Sequence, residues 1–259
     1  MKVCYDSPVI IGGGALGGAV AIGLAKSGLS PVVSHPKESR LAELEALGLR
    51  LTRDNVQALE ASAGPVLFAV KPWLVKDVVR ALADRLAGRV CCSMAARVSL
   101  EELKSCAPGA KWGRAIPNIA AAVGAGFAGV ASDDWDEDER NAMLGLFRRE
   151  GEAVWVGEKD LNAVSTLSGS AIAFVLMAAE AFIQGGLGVG MSCDDSLKAA
   201  LATFEGAAKL VRETGLHPAA LKDSVCTPRG TTIAGLRALE AKGFKSALIE
   251  GLIATYNAG

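Results

Sequence analysis

Gly12, Gly14 and Gly17 form a GxGxxG run between the apolar triplet Val9-Ile10-Ile11 and the stretch Ala19-Val20-Ala21-Ile22. No other feature restricts the fold as strongly, because a strand, a tight glycine turn and a helix in that order open a βαβ unit. With no Cβ at Gly14, a pyrophosphate can approach backbone N–H groups at the positive end of the helix. The expected contacts are Gly12, Gly14, Ala15, Leu16 and Gly17. A glycine turn that binds nothing is the bland alternative, and the flanking strand and helix argue against it.

From Pro8 to about Val156, short β-branched runs alternate with helical apolar spacing, which predicts a parallel sheet covered by helices. Strands are expected at Val9–Ile11, Pro31–Ser34, Val66–Val70, Val90–Ser93 and Lys111–Ile116. Helices are expected at Ala15–Ser27, Glu38–Leu47, Val75–Ala87 and Leu100–Cys106. After Glu158 the β-branched runs stop and helical spacing continues to the end. The chain therefore reads as α/β, with a Rossmann-type doubly wound parallel sheet over 1–158 and an all-α domain over 159–259. The first helix of that second part, from Leu161, is apolar on nearly every face, so burial between two copies in a homodimer is its simplest outlet.

An NAD-binding unit normally carries Asp or Glu at the end of its second strand to hold the ribose 2′-OH. Here the sequence is Ser34-His35-Pro36-Lys37, with Arg40 on the following turn. Without a carboxylate, and with two cations where a 2′-phosphate can be met, the pattern favours NADP(H), with NAD(H) possible. Ordinary solvated charge is the competing reading of Lys37 and Arg40. Ser34, His35 and Lys37 are the candidate residues at this end of the cofactor.

Charge excludes other partners. The 259 residues carry 27 basic and 28 acidic side chains, so the electrostatic footprint of nucleic-acid or anionic-membrane binding is missing. Six cysteines without a CxxC pair, and only two histidines, argue against a zinc site. The apolar stretch from Leu161 is interrupted by Glu180 and several glycines, and the opening residues lack an apolar leader pattern, so a cytoplasmic protein without a membrane span is expected. Between Lys159 and Lys198 there is no Lys, Arg or His. Ketone reduction needs a general acid near the reacting oxygen, whereas a protonated iminium already carries its proton. A C=N substrate fits this inventory.

Several motifs in order now carry a resemblance. Val225-Cys226-Thr227-Pro228-Arg229-Gly230-Thr231-Thr232, with Leu239-Glu240 after it, is similar to the V-[ST]-[ST]-P-G-G-T-T signature of pyrroline-5-carboxylate reductases. Ala69-Val70-Lys71-Pro72 resembles the family's A-V-K-P loop, and Arg114-Ala115-Ile116-Pro117-Asn118 its R-x-M-P-N. Leu167-Ser168-Gly169-Ser170 resembles its L-S-G-S helix. The resemblance implies NADP-dependent reduction of 1-pyrroline-5-carboxylate to L-proline, in proline biosynthesis, by a homodimer or higher homo-oligomer. It implies that Val70, Lys71, Pro72, Pro117 and Asn118 line the cofactor cleft. It also implies that Ser170, Cys226, Gly230, Thr231 and Thr232 meet the substrate, with the Thr231 hydroxyl near the ring nitrogen. A helix-opening Gly-Thr-Thr offers N–H groups and a hydroxyl to a carboxylate, although Thr231 as a plain helix cap remains the alternative.

Ile119-Ala120 stands where the family has T-P after P-N, and most other departures fall on the expected substrate side. Ala171, Ile172 and Phe174 stand where the family has G-P-A-Y, Cys226 replaces Ser or Thr, and Arg229 replaces Gly. A homologous reductase of another cyclic imine, or a catalytically silent NADP-binding regulator, therefore stays open on these residues.

Overall fold

The computed structural model describes residues 5–258, so Cys4 lies outside the described residues. The chain forms two compact units that divide between Gly169 and Ser170.

The first unit holds one sheet of eight strands: β1 (Val9–Ile11), β2 (Val32–Ser34), β3 (Arg50–Thr52), β4 (Val66–Phe68), β5 (Val90–Ser93), β6 (Lys111–Ile116), β7 (Gly126–Ser132) and β8 (Gly151–Trp155). Their spatial order is 3-2-1-4-5-6-7-8, and every pairing is parallel except β6 with β7. The helices are α1 (Ala15–Lys26), α2 (Glu38–Glu45), α3 (Asn55–Glu60), α4 (Pro72–Leu86), α5 (Leu100–Cys106) and α6 (Glu137–Arg148).

Strands β1, β2, β4 and β5 are buried along their whole length, as strands covered on both faces must be. Two apolar layers result. One packs α3, α4 and α5 against Val9, Ile11, Phe68 and Trp112, and the other packs α1 and α6 against Ile10, Val33, Leu67 and Ala115. Strand order reverses around β1 and β4, which places the ends of β1, β2 and β4 around the crevice that ligands of open α/β sheets occupy.

Three strands and two helices go beyond the sequence reading. β3 is a three-residue edge strand, and β7 and β8 carry glycines at Gly126, Gly129 and Gly151 that depress strand propensity. Those glycines have packing reasons. A Cβ on Gly129 would press on Val164, and one on Gly151 would strike the backbone of Gly126.

The second unit is helical: α8 (Ala171–Gly188), α9 (Cys193–Thr214), α10 (Pro218–Ser224), α11 (Thr231–Ala241) and α12 (Phe244–Ala258). The helix that ends as α8 begins in the first unit with α7 (Leu161–Val164) and passes through a π-helical turn at Ser165–Ser170. Its first turns belong to the sheet unit because Leu161 is buried with Ile116 and Ala131, and Val164 packs beside it. The division by composition, after residue 158, therefore precedes the division by packing.

With the helix continuous, Glu158–Gly188 is long and apolar enough to cross a membrane by length and composition alone, where the sequence reading takes Glu180 and the glycines as interruptions. Val175, Leu176, Met177 and Phe182 on it are exposed within the single chain.

Candidate active site

The glycine turn is built as its spacing predicts. Gly12 has φ +110, and a Cβ there would lie 2.8 Å from the backbone of Ala69. A Cβ on Gly17 would overlap the carbonyl oxygen of Gly12, so the third glycine lets α1 close onto the turn. Around Gly14, by contrast, nothing lies within 4 Å of the Cβ position. Gly14 is also the N-cap of α1 and provides no side-chain cap, so first-turn N–H groups keep their capacity for a ligand. A cradle closed at two glycines and open at the third fits a dinucleotide pyrophosphate.

At the end of β2 the residues divide their roles differently from the sequence reading. Arg40 does not reach outward: its Nε donates to Gly13 O at 2.9 Å and its Nη2 to Gly14 O at 3.4 Å. It braces the glycine turn from beneath. Ser34 is 1% exposed, and its hydroxyl donates to Asn55 Oδ1. Asn55 opens α3 just after Asp54, whose carboxylate caps Val56 N–H at 2.7 Å. The sequence reading misses Asn55 because β3, which delivers it to this edge, is too short to show. Lys37 is the exposed N-cap residue of α2. His35 is held toward its neutral form, chiefly by burial and then by Arg40 and Lys37.

With Arg40 turned onto the glycine turn, Lys37 is the exposed cation at this end of β2, and Lys37→Ala is expected to weaken NADPH binding by about 1–2 kcal/mol. NADH affinity should stay unchanged. Fluorescence titration with both nucleotides measures the difference, and an equal loss for both would show that Lys37 does not read the phosphate.

On the other side of β1, Lys71 and Pro72 open α4, with Pro72 at the first helical position, where its missing N–H costs nothing. Val70 is half-buried and lies 3.0 Å from the Cβ position of Gly12. Pro117 is buried at the end of β6, and Asn118 ties two elements together. Its Oδ1 accepts from Ala120 N–H at 3.2 Å, and its Nδ2 donates to Ser168 O at 3.0 Å. The strand edge is thereby pinned to the π-helical turn.

In the second unit, Gly230 caps α11 without a side chain, and Thr231 and Thr232 occupy its first turn, both exposed in the single chain. Their N–H groups and hydroxyls form an oxyanion-receptive helix start. Gly230 N–H donates to Thr227 O at 2.9 Å, and a Cβ on Gly230 would strike the Thr227 hydroxyl. Thr227 therefore belongs to the turn. Cys226, named from the sequence, turns its thiol back to donate to Lys222 O at 3.3 Å. Ser170 sits at the start of α8, and Phe174 packs on α12, 3.6 Å from the Cβ position of Gly251.

Arg229 has φ 61, the left-handed region that suits glycine. The turn keeps the glycine conformation although the side chain has changed, at a cost of about 1 kcal/mol. Arg229→Gly is accordingly expected to raise stability by about that amount. Denaturant unfolding measures this, and a loss of stability would mean that the guanidinium makes compensating contacts.

Comparison with known proteins agrees with this geometry. Residues 158–259 match the family model for pyrroline-5-carboxylate reductase dimerisation, and residues 9–97 match that for NADP oxidoreductase, coenzyme F420-dependent. Pyrroline-5-carboxylate reductase of Synechocystis sp. is 37% identical over 95% of this chain and 94% of its own. That of Pisum sativum is 36% identical over 94% of this chain and 91% of its own. The crystal structure of Plasmodium falciparum pyrroline carboxylate reductase with NADP bound shares the fold. It has a TM-score of 0.86 at 22% identity and covers 97% of each chain.

Proposed function

This chain belongs to the pyrroline-5-carboxylate reductase family, and from that premise we propose how its own residues reduce 1-pyrroline-5-carboxylate to L-proline with NAD(P)H. The observations that support the reading are the open cradle at Gly14 in the first unit and, in the second, a helix start that bears Gly230, Thr231 and Thr232.

Gly12, Gly14, Ala15, Leu16 and Gly17 receive the pyrophosphate. Lys37, His35 and the Ser34–Asn55 pair receive the adenosine end, and Val70, Lys71, Pro72, Pro117 and Asn118 line the remainder. When bound, the nicotinamide supplies a hydride. The second unit holds the substrate: N–H groups of the Gly230-Thr231-Thr232 turn take its carboxylate, and the Thr231 hydroxyl accepts the proton carried by the ring nitrogen of the iminium in a hydrogen bond. That bond orients the C=N carbon, and no general acid is needed because the nitrogen arrives protonated.

The dimerisation family model makes the chain a homo-oligomer. We infer a dimer as its unit, with the exposed apolar side of α8 and its neighbours as the buried surface. We further infer a cytoplasmic location. The test follows nicotinamide absorbance with purified protein, NADPH or NADH, and a panel of cyclic imines. Oxidation fastest with pyrroline-5-carboxylate supports the reading, a preference for another imine moves the substrate, and nucleotide binding without oxidation of any imine sinks it.

A further inference from the structure

Among the described residues, one segment is π-helical: the turn Ser165–Ser170, between α7 and α8. Ahead of it the helix is fixed to the sheet. Leu161 is 2% exposed, packed with Ile116 and Ala131, and Val164 fills the space that a Cβ on Gly129 of β7 would need. A π turn spaces its hydrogen bonds five residues apart instead of four, and such turns recur at functional sites. Its loosened backbone needs other partners to persist.

Side chains supply those partners. The Thr166 hydroxyl donates to Asn162 O at 3.0 Å and the Ser168 hydroxyl to Val164 O at 2.8 Å, each four residues back. Back-bonds of this kind compete with the backbone ladder and bend a helix. A third donor comes from the sheet edge: Asn118 Nδ2 lies 3.0 Å from Ser168 O. Asn118 is itself held, because its Oδ1 accepts Ala120 N–H at 3.2 Å as the N-cap of the 3₁₀ turn Ile119–Val123. Pro117, buried just before it, restricts the backbone that presents it. One amide thus spends its acceptor on its own turn and its donor on the helix.

We propose that Asn118 is a positioning residue of the reductase: its bond to Ser168 O keeps the turn π-helical and so sets the direction in which Ser170, the last residue of that turn, faces. The inference rests on the reductase reading, in which the family resemblance gives Ser170 to the substrate. An α-helix advances about 100° and 1.5 Å per residue, so a turn that relaxed to α geometry behind a fixed Leu161 and Val164 would rotate Ser170 by much of that step. Catalysis already suffers from a misplacement of about 1 Å. Lining the nucleotide cleft would demand that Asn118 touch the cofactor, whereas holding the turn does not.

Asn118→Ser and Asn118→Asp test it in the full chain. Both keep an acceptor for Ala120 N–H, and both lose the donor to Ser168 O, serine through its length and aspartate through its chemistry. Because the N-cap survives, both are expected to fold, which circular dichroism checks. Three quantities are then measured: kcat with pyrroline-5-carboxylate, the dissociation constant of NADPH by fluorescence titration, and amide hydrogen exchange over residues 165–170. Both variants should exchange about three- to tenfold faster over that segment and lose about ten- to a hundredfold in kcat. NADPH affinity should hold in Asn118→Ser.

Unchanged exchange over 165–170 overturns the proposal, as does faster exchange with undiminished kcat. Weakened NADPH binding with unchanged kcat in Asn118→Ser puts Asn118 on the nucleotide and overturns it as well. Should Asn118→Asp fail to fold, Asn118→Ser decides alone. If the parent oxidises NADPH with no imine, the reductase reading falls separately, and exchange over 165–170 decides whether Asn118 holds the turn.

Discussion

Thr231→Ala is expected to lower the turnover of pyrroline-5-carboxylate by about one to three powers of ten, the usual consequence of removing a positioned hydrogen bond from a closed site. Nucleotide affinity should barely move, because the glycine cradle that receives the pyrophosphate is built from β1 and α1, whereas Thr231 opens α11. The helix should survive the change. Its N-cap is Gly230, which supplies no side-chain bond, so the hydroxyl of Thr231 caps nothing that alanine would release. Steady-state kinetics beside a nucleotide titration measures both quantities. If Thr231→Ala turns over normally while Thr232→Ala or Thr227→Ala does not, the role moves to a neighbouring hydroxyl of the same turn.

A comparably large effect is expected at Glu150, to which no chemistry is assigned. Its side chain is 2% exposed just after α6, its Oε1 has no partner, and it lies against α1, with its Cγ 3.2 Å from the Cβ position of Gly23. Burial pushes its carboxyl up to about 9 from an ordinary value of 4.5. The folded protein therefore holds it neutral at pH 7, whereas the unfolded chain ionises it.

A carboxyl raised in this way withdraws stability as pH climbs from the unfolded value toward the folded one. By pH 7 the loss amounts to about 3 kcal/mol. Glu150→Gln removes the ionisation, so it should be more stable than the parent by about 2–3 kcal/mol at pH 7. The advantage should grow toward pH 9 and vanish near pH 4. Thermal unfolding at acidic and alkaline pH checks it, and a gain independent of pH would mean that packing, not ionisation, separates the two side chains.

Local chemistry explains what was legible in the sequence. Strands β1, β2, β4 and β5 are uninterrupted or nearly uninterrupted apolar runs, because both faces of a parallel sheet are covered. The glycine turn announced itself because a backbone that must approach both a ligand and Ala69 tolerates no side chain. The helices of the second unit carry their own signals: Ser192 caps Asp195 N–H at 3.1 Å, His217 caps Ala219 N–H at 3.2 Å, and Gly215 ends α9 with φ +65. By order and spacing alone, the sequence determined a nucleotide-binding sheet, a helical second part and a Gly-Thr-Thr turn, since each depends on residues within one turn or strand of each other.

The tertiary structure decided what long-range pairing controls. It recruited Asn55 to Ser34 through a three-residue edge strand, and turned Arg40 inward onto the carbonyls of Gly13 and Gly14. It also attached the opening of the long helix to the sheet through Leu161 and Val164. A side chain's partner across a fold depends on which backbone faces it once the sheet has closed. Residues such as Arg40, with donors that suit a phosphate and a carbonyl equally, declare their partner only then.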